Sequence, residues 1–178
     1  EKLALLWCND EGEERRFTFK DLKEKSNQIA NFFKRIGIKK GDAVILTLKN
    51  RYEFWFSMMA LHKIGAIPIP STHMLRTKDM IYRIKNAGVK MILSIDTDSL
   101  IKTYEEAEEE LKIDLLKVYV NENSLYKDIP GWYNLSKEIE DESMEFTRPT
   151  GDESIENTDP FLIYFSSGTT GPCKFHTF

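Results

Sequence analysis

Phe161-Leu-Ile-Tyr-Phe165 is followed directly by Ser166-Ser-Gly-Thr-Thr-Gly-Pro-Cys-Lys174, and this stretch decides which fold and function we expect. The five apolar or aromatic residues predict a buried β-strand. The small, hydroxylated residues after it predict a loop whose backbone N–H groups and hydroxyls can hold a polyphosphate, with the lysine as counter-charge. Gly168 and Gly171 have no Cβ, so the backbone can approach a phosphate closely there.

This loop does not have the pattern of a Walker-type P-loop. That pattern requires a second glycine five positions after Gly168, followed by Lys and then Ser or Thr. Here Cys173 occupies that position, and Phe175 follows Lys174. A simple solvated turn is the alternative, but the apolar strand before the loop and the lysine after it favour a phosphate-binding loop.

The composition indicates an ordinary globular protein. The chain has 178 residues, 41% of them hydrophobic and 30% charged, which is enough for one sizeable core. The net charge of −4 and the pI near 5.5 argue against a nucleic-acid-binding surface. No apolar run reaches the length of about 18 residues that suggests a membrane span. The two cysteines, Cys8 and Cys173, lie far apart and fit a reducing compartment, so we expect a cytoplasmic protein.

We expect residues 1–178 to be a partial N-terminal domain of a longer enzyme. The chain begins Glu1-Lys-Leu-Ala, without an initiating Met or a signal-peptide pattern. It stops at Phe178, shortly after Lys174, so nothing remains to hold a nucleotide base, a sugar or a second substrate. If further strands complete the sheet, the unpaired edge predicts some self-association of this chain.

Strand and helix patterns alternate along the chain. Apolar runs at 3–8, 43–48, 66–69, 90–95 and 115–120 predict strands, and amphipathic segments between them predict helices. This order predicts a three-layer α/β fold: a mostly parallel sheet, joined by right-handed crossovers, with helices on both faces. Residues 132–139 suggest one short helix. The acidic stretch at about 141–159 has little periodicity and is expected to be a surface connection.

Three local signals refine the helix assignments. Thr18 and Asp21 resemble a capping box. Asn50 is expected to cap the next helix, with Glu53 reaching back to it. That helix, residues 53–64, is apolar nearly all round and is expected to be buried.

Other chemistry-bearing residues offer weaker candidates. His62 lies in the apolar helix and is expected to be a structural histidine, whereas His73 follows a strand end, where α/β proteins place their sites. The cysteines and histidines show no zinc-ligand spacing. The acidic run at 105–110 predicts a solvated helix face, because apolar residues recur beside it at helical spacing.

The string Ser-Ser-Gly-Thr-Thr-Gly-x-x-Lys after an apolar strand resembles the phosphate-binding signature of the adenylate-forming, AMP-binding superfamily. That superfamily contains acyl-CoA synthetases, luciferases and peptide-synthetase adenylation domains. Asn50-Arg-Tyr-Glu-Phe-Trp55, Ala60-Leu-His-Lys-Ile-Gly-Ala66 and Pro70-Ser-Thr-His-Met-Leu75 resemble the medium-chain branch of the acyl-CoA synthetases. The resemblance covers essentially the whole chain.

The resemblance implies an acid–CoA ligase that uses ATP, Mg2+ and coenzyme A on a small-molecule carboxylic acid. It implies that the β- and γ-phosphates are held by Ser166, Ser167, Gly168, Thr169, Thr170, Gly171 and Lys174. The sequence departs from the family after Gly171, where Cys173 replaces the usual proline. The family's adenine-binding motif, metal ligand and catalytic lysine have no counterpart here, so no catalytic or metal-binding residue is assigned. Another adenylating enzyme, or a catalytically silent nucleotide-binding fragment, are the alternatives.

Overall fold

The computed structural model describes residues 2–122, 128–166 and 174–178. It begins with an antiparallel hairpin formed by β1 (Leu3–Cys8) and β2 (Glu14–Thr18). The following elements are α1 (Phe19–Arg35), β3 (Ala43–Thr47), α2 (Glu53–Ile64), β4 (Ile67–Pro70), α3 (Thr77–Ala87), β5 (Val89–Ile95), α4 (Asp98–Leu111), β6 (Leu116–Val120), β7 (Tyr133–Asn134), α5 (Leu135–Glu138), a 3-10 turn (Gly151–Glu153), β8 (Ile163–Ser166) and β9 (Lys174–Thr177).

A five-stranded parallel sheet in the order β4-β3-β5-β6-β7 forms the centre of the molecule. Ile45 of the central strand β3 pairs with Ile69 on one side and Ile92 on the other. Because each parallel strand is covered on both faces, its residues are almost continuously apolar, as in β3, which is buried along its whole length.

Alternate residues of β3, β5 and β6 enter two separate cores. Leu46, Leu93 and Val118 face one core, which α1 and α2 cover. Ile45 and Ile92 face the other, which α3 and α4 cover. The predicted three-layer α/β fold with a parallel sheet is therefore confirmed.

The ends of α1 and α2 follow from local chemistry. Thr18 accepts a hydrogen bond from the Asp21 amide at 3.1 Å, and Asp21 accepts from the Thr18 amide at 2.7 Å, which confirms the capping box. The Thr18 hydroxyl also donates to Asp21 Oδ2 at 2.7 Å, and this bond together with the one from the Thr18 amide lowers the pKa of Asp21. At the end of α2, Gly65 has φ +79°, and an added Cβ would lie 3.0 Å from Lys40 Cγ. Glycine is needed there for both conformation and space.

The start of α2 differs from the prediction. Asn50 does not cap it: the N-cap residue is Tyr52, which makes no side-chain capping bond. Glu53 does not reach back to Asn50, because its carboxylate accepts two hydrogen bonds from Arg51. The expectation that α2 is buried holds for only one side of the helix, which includes Phe56 and Leu61, whereas Trp55 is 52% exposed.

Two further predictions are corrected towards the C-terminus. Residues 132–139 form the two-residue strand β7 before the single helical turn α5, because Tyr133 and Asn134 pair with β6. The strand expected at 161–165 is β8, which pairs in an antiparallel manner with β9 instead of joining the central sheet. Only alternate residues of β8 are buried, as expected for a ribbon covered on one face.

Residues 139–145 run along α1 and are held by its amide side chains. Gln28 Nε2 donates to the carbonyl of Ile139 at 2.9 Å, and Asn27 Nδ2 donates to that of Met144 at 2.7 Å. Asn31 Nδ2 donates to the carbonyls of residues 143 and 145. These bonds fix an irregular segment whose backbone has no regular secondary structure to satisfy it.

Candidate functional site

A cavity of about 340 Å³ opens where β3 and β4 end. The chain leaves β3 through α2 towards β4 and leaves β5 through α4 towards β6, so the connections diverge to opposite sides of the sheet. Crevices at such carboxyl edges are where open α/β sheets bind ligands. The cavity is lined by apolar and small polar side chains: Leu46, Leu48, Lys49, Phe54, Pro70, Ser71, Thr72, His73 and Tyr164.

Lys49 links this cavity to the next strands of the sheet. It follows β3 with φ +47°, a left-handed conformation that is uncommon for a residue with a side chain. Its Nζ lies 2.5 Å from Glu122 Oε1, and Thr97 Oγ1 donates to Glu122 Oε2 at 2.8 Å. Burial opposes the charge on Glu122, but the hydrogen bonds from Lys49 and Thr97 outweigh it and lower the pKa of the carboxyl. The carboxylate is therefore ionised and paired at neutral pH.

A chain of amide and carboxylate groups continues along the same edge. Asp96 accepts from Asn121 Nδ2 at 3.0 Å and from the Glu122 amide at 2.8 Å. Asn134 Nδ2 donates to Asn121 Oδ1 and to the Tyr119 hydroxyl, both at 3.0 Å. These contacts join the ends of β5, β6 and β7, and they preorganise the loops that surround the cavity.

A second, more polar groove of about 590 Å³ lies beside Lys49, towards the β1–β2 hairpin. Arg51 binds the Glu53 carboxylate through two hydrogen bonds of 3.0 and 2.7 Å. Its guanidinium also lies 5.0 Å from the ring centre of Tyr52 and 5.6 Å from that of Trp7. Because its charge is already paired with Glu53, Arg51 serves to anchor the hairpin to the sheet.

The predicted phosphate loop begins at the last residue of β8. Ser166 pairs with Lys174 across the β8–β9 ribbon, so the two ends of the loop lie side by side. Ser166 Oγ lies 3.1 Å from Nε2 of His176. Ser167, Gly168, Thr169, Thr170 and Gly171 lie outside the described residues, as does the side chain of Lys174. Their proposed contacts to phosphate stay a prediction.

The strand that leads into this loop lies at the carboxyl edge of the sheet. β8 packs beside β4, and Tyr164 lines the cavity together with Leu46 and Pro70. On its buried face Phe165 contacts α3, with the Arg83 guanidinium 4.6 Å and the Tyr82 ring 6.1 Å from the Phe165 ring centre. The chain therefore enters the predicted loop next to the cavity.

The two histidines singled out from the sequence have different environments. His73 lines the cavity, at the position expected for a functional residue. His62 is only half-buried; its ring stacks on Phe161 at 3.8 Å, and its Nε2 lies 3.1 Å from the Phe161 carbonyl oxygen. Burial lowers its pKa. Within the described ranges, no three His, Cys, Asp or Glu side chains come together as metal ligands.

Sequence reasoning missed Lys49, Asp96 and Glu122. A signal for them exists, because each of these polar residues stands one or two positions after the end of an apolar strand. Parallel strands bring such positions to one edge of a sheet.

Comparison with known proteins identifies the family. The model of the AMP-binding enzyme family matches residues 1–175. The chain belongs to the AMP-binding enzyme family. Human mitochondrial acyl-coenzyme A synthetase ACSM5 is 30% identical to it over 172 residues, which are 96% of this chain and 28% of that protein. The uncharacterized acyl–CoA ligase YtcI of Bacillus subtilis is 32% identical over 174 residues, 98% of this chain and 30% of that protein. The predicted resemblance to acyl-CoA synthetases is confirmed.

Solved structures show the same fold. The acyl-CoA synthetase of Brucella canis superposes with a TM-score of 0.83 at 20% identity, over 99% of this chain and 30% of the other. The anthranilate CoA ligase AuaEII, solved with anthranoyl-AMP, gives 0.79 at 21% identity, over 92% of this chain and 30% of the other. The chain thus spans less than a third of the length of these relatives and neighbours.

Proposed function

We propose that the full-length protein is an ATP-dependent acid–CoA ligase and that residues 166–174 hold the β- and γ-phosphates of ATP. The observation that carries the proposal is the position of β8. This strand runs beside the carboxyl ends of β3 and β4 and delivers Ser166 to the edge where α/β sheets bind nucleotides. The glycine- and hydroxyl-rich composition of the following residues suits a phosphate cradle, and the family match supports the same reading.

The proposed reaction has two steps. A carboxylate oxygen attacks the α-phosphorus of ATP, pyrophosphate leaves, and an acyl-adenylate forms. The thiolate of coenzyme A then attacks the acyl carbon and displaces AMP, which gives the thioester. The loop stabilises the negative charge that grows on the departing pyrophosphate, since N–H donors and a cation already in place need no reorganisation.

Among the described residues we assign a ligand contact only to Ser166. Ser166 offers a hydroxyl at the mouth of the loop, where a phosphate oxygen can accept from it. Mg2+ bound with ATP neutralises phosphate charge, but no acidic cluster in the described ranges fits it, and we assign it no protein ligand. We likewise assign no residue to coenzyme A.

The main alternative is another adenylating enzyme, such as a peptide-synthetase adenylation domain or a luciferase-like enzyme. The curated relatives named above are acyl-CoA synthetases or ligases, which favours coenzyme A as the acceptor. We also propose that residues 1–178 alone are inactive, because they span less than a third of those proteins.

The test is ATP–pyrophosphate exchange by the full-length protein with short-chain, medium-chain and aromatic acids, followed by thioester formation on addition of coenzyme A. We expect exchange that depends on one class of acid, and thioester from the same class. Exchange without thioester would favour another adenylating enzyme. No exchange with any acid would contradict the proposal.

Cellular location and self-association stay predictions. No helix in the described ranges is both long and apolar enough to cross a bilayer. Related proteins include mitochondrial and bacterial examples, so the cytoplasmic location rests on the sequence reasoning alone. Sedimentation of this chain at high concentration tests the self-association, which a clean monomer would contradict.

A further inference from the structure

A groove at the opposite edge of the sheet gathers positive side chains. α2 runs from the carboxyl end of β3 to the amino end of β4, so its last turn lies away from the predicted phosphate loop. There a groove of about 500 Å³ is bounded by α1, α2 and residues 145–155. It contains Lys23, Lys63 and Arg148, and Glu145 is the one carboxylate among the described residues that line it.

Lys63 is fixed in place without being neutralised. Its Nζ donates to Ser26 Oγ and Asn27 Oδ1, both at 2.6 Å, and to the Lys23 carbonyl at 3.3 Å. All three acceptors are uncharged oxygens. The C-terminal end of α2 supplies only about half a negative charge. Burial and the neighbouring Lys23 accordingly lower the pKa of Lys63.

The groove therefore carries a positive charge, whereas the whole chain is negatively charged. Lys23, Lys63 and Arg148 form no ion pair with a carboxylate in the part of the chain that the structure describes. Three positive side chains and one carboxylate leave a formal charge of +2, on a chain whose net charge is −4. Such a local field concentrates anions, and a dianion would balance it.

The walls of the groove are suited to a flat or apolar group beside the anion. The half-buried His62 ring, held against Phe161, forms one wall, and burial keeps it uncharged at neutral pH. Phe146 and Ile155, both partly buried, provide apolar surface. At neutral pH a phosphate monoester carries a charge of about −1.5 to −2, which matches the groove.

We propose that this groove is a separate anion site, which binds a phosphoryl dianion, either as free phosphate or as part of a small phosphate monoester. Lys63 supplies a fixed positive charge at its base. Lys23 on α1 and Arg148 in the 145–155 segment are both exposed, and they contact the ligand from two sides of the groove. The site does not depend on the proposed ligase activity, because it uses none of residues 166–174.

The test is calorimetric titration of this chain with inorganic phosphate, and separately with phenyl phosphate, at constant ionic strength. Lys23→Gln and Arg148→Gln each remove one exposed cation that makes no ion pair in the described ranges, so the fold should survive both. We expect each change to weaken binding about tenfold, the effect of losing one charge-assisted contact. The matched control is Lys85→Gln on α3, across the sheet, which should bind as the unchanged protein does.

Nuclear magnetic resonance locates the bound ion, since the His62 ring signals should shift during the titration. Tighter binding of phenyl phosphate would identify an ester as the ligand, and equal binding would identify free phosphate; either supports the site. Absence of phosphate binding at millimolar concentration would overturn the proposal. Equal weakening by Lys85→Gln, or unmoved His62 signals, would also overturn it.

Discussion

Removing the hydroxyl of Tyr104 probes the buried polar contact beneath the carboxyl edge of the sheet. Thr47 Oγ1 and the Tyr104 hydroxyl share a hydrogen bond of 2.5 Å, and both residues are 0% exposed. Burial raises the pKa of Tyr104, so its hydroxyl stays protonated at any ordinary pH. Tyr104→Phe would leave the Thr47 hydroxyl buried without this partner, which costs about 2 kcal/mol.

For a chain of this size, that loss corresponds to a fall in Tm of about 4–8 °C. Adding Thr47→Val removes the stranded hydroxyl at nearly the same volume, and we expect it to restore at least half of the lost stability. Thermal and urea denaturation measure the free energy of unfolding of both variants. Tyr133→Phe, at a 38% exposed position, serves as the control. Two results would refute this reasoning. In the first, Tyr104→Phe is as stable as the unchanged protein. In the second, the double variant loses the sum of the stabilities that the two single changes cost.

Three further changes test local features by denaturation. Lys112 ends α4 with φ +52°, so Lys112→Gly should stabilise the protein by about 1 kcal/mol. Lys102→Gly within the same helix should destabilise it by about as much. Stability changes of the same sign in the two variants would contradict this prediction. Ser57 Oγ is buried with no hydrogen-bond partner in the described ranges, so Ser57→Ala should raise stability by about 1 kcal/mol, and a clear loss would show that the hydroxyl is bonded. Thr18→Ala should cost about 1 kcal/mol at neutral pH. Because hydrogen bonds from Thr18 lower the pKa of Asp21 in the folded state, this cost should shrink as the pH falls through that pKa; a cost that does not change in acid would argue against the capping box.

Elements with a complete local signal were predicted from the sequence. The hairpin strand β1 and helix α2 have the predicted bounds, because turn residues and Gly65 mark their ends. The parallel sheet followed from the alternation of apolar runs and amphipathic helices, which leaves few other arrangements.

The errors arose where a side chain or a strand has a partner that the local capping or strand pattern does not reveal. Glu53 was expected to form a capping hydrogen bond back to Asn50, but its carboxylate accepts two hydrogen bonds from Arg51 instead. The strand β7 has two residues and exists only because β6 offers it an edge, which no local pattern reveals. The charge network of Lys49 and Glu122 joins residues 73 positions apart and depends on the order of strands in the sheet.

We propose above that residues 166–174 bind the β- and γ-phosphates of ATP. The most direct test is the effect of Thr170→Ala on ATP–pyrophosphate exchange by the full-length protein. We predict a loss of at least tenfold in kcat/KM for ATP, the effect of one lost charge-assisted hydrogen bond. The matched Thr103→Ala change on the exposed side of α4 should leave exchange unaltered. Full exchange activity in the Thr170→Ala protein would contradict the account.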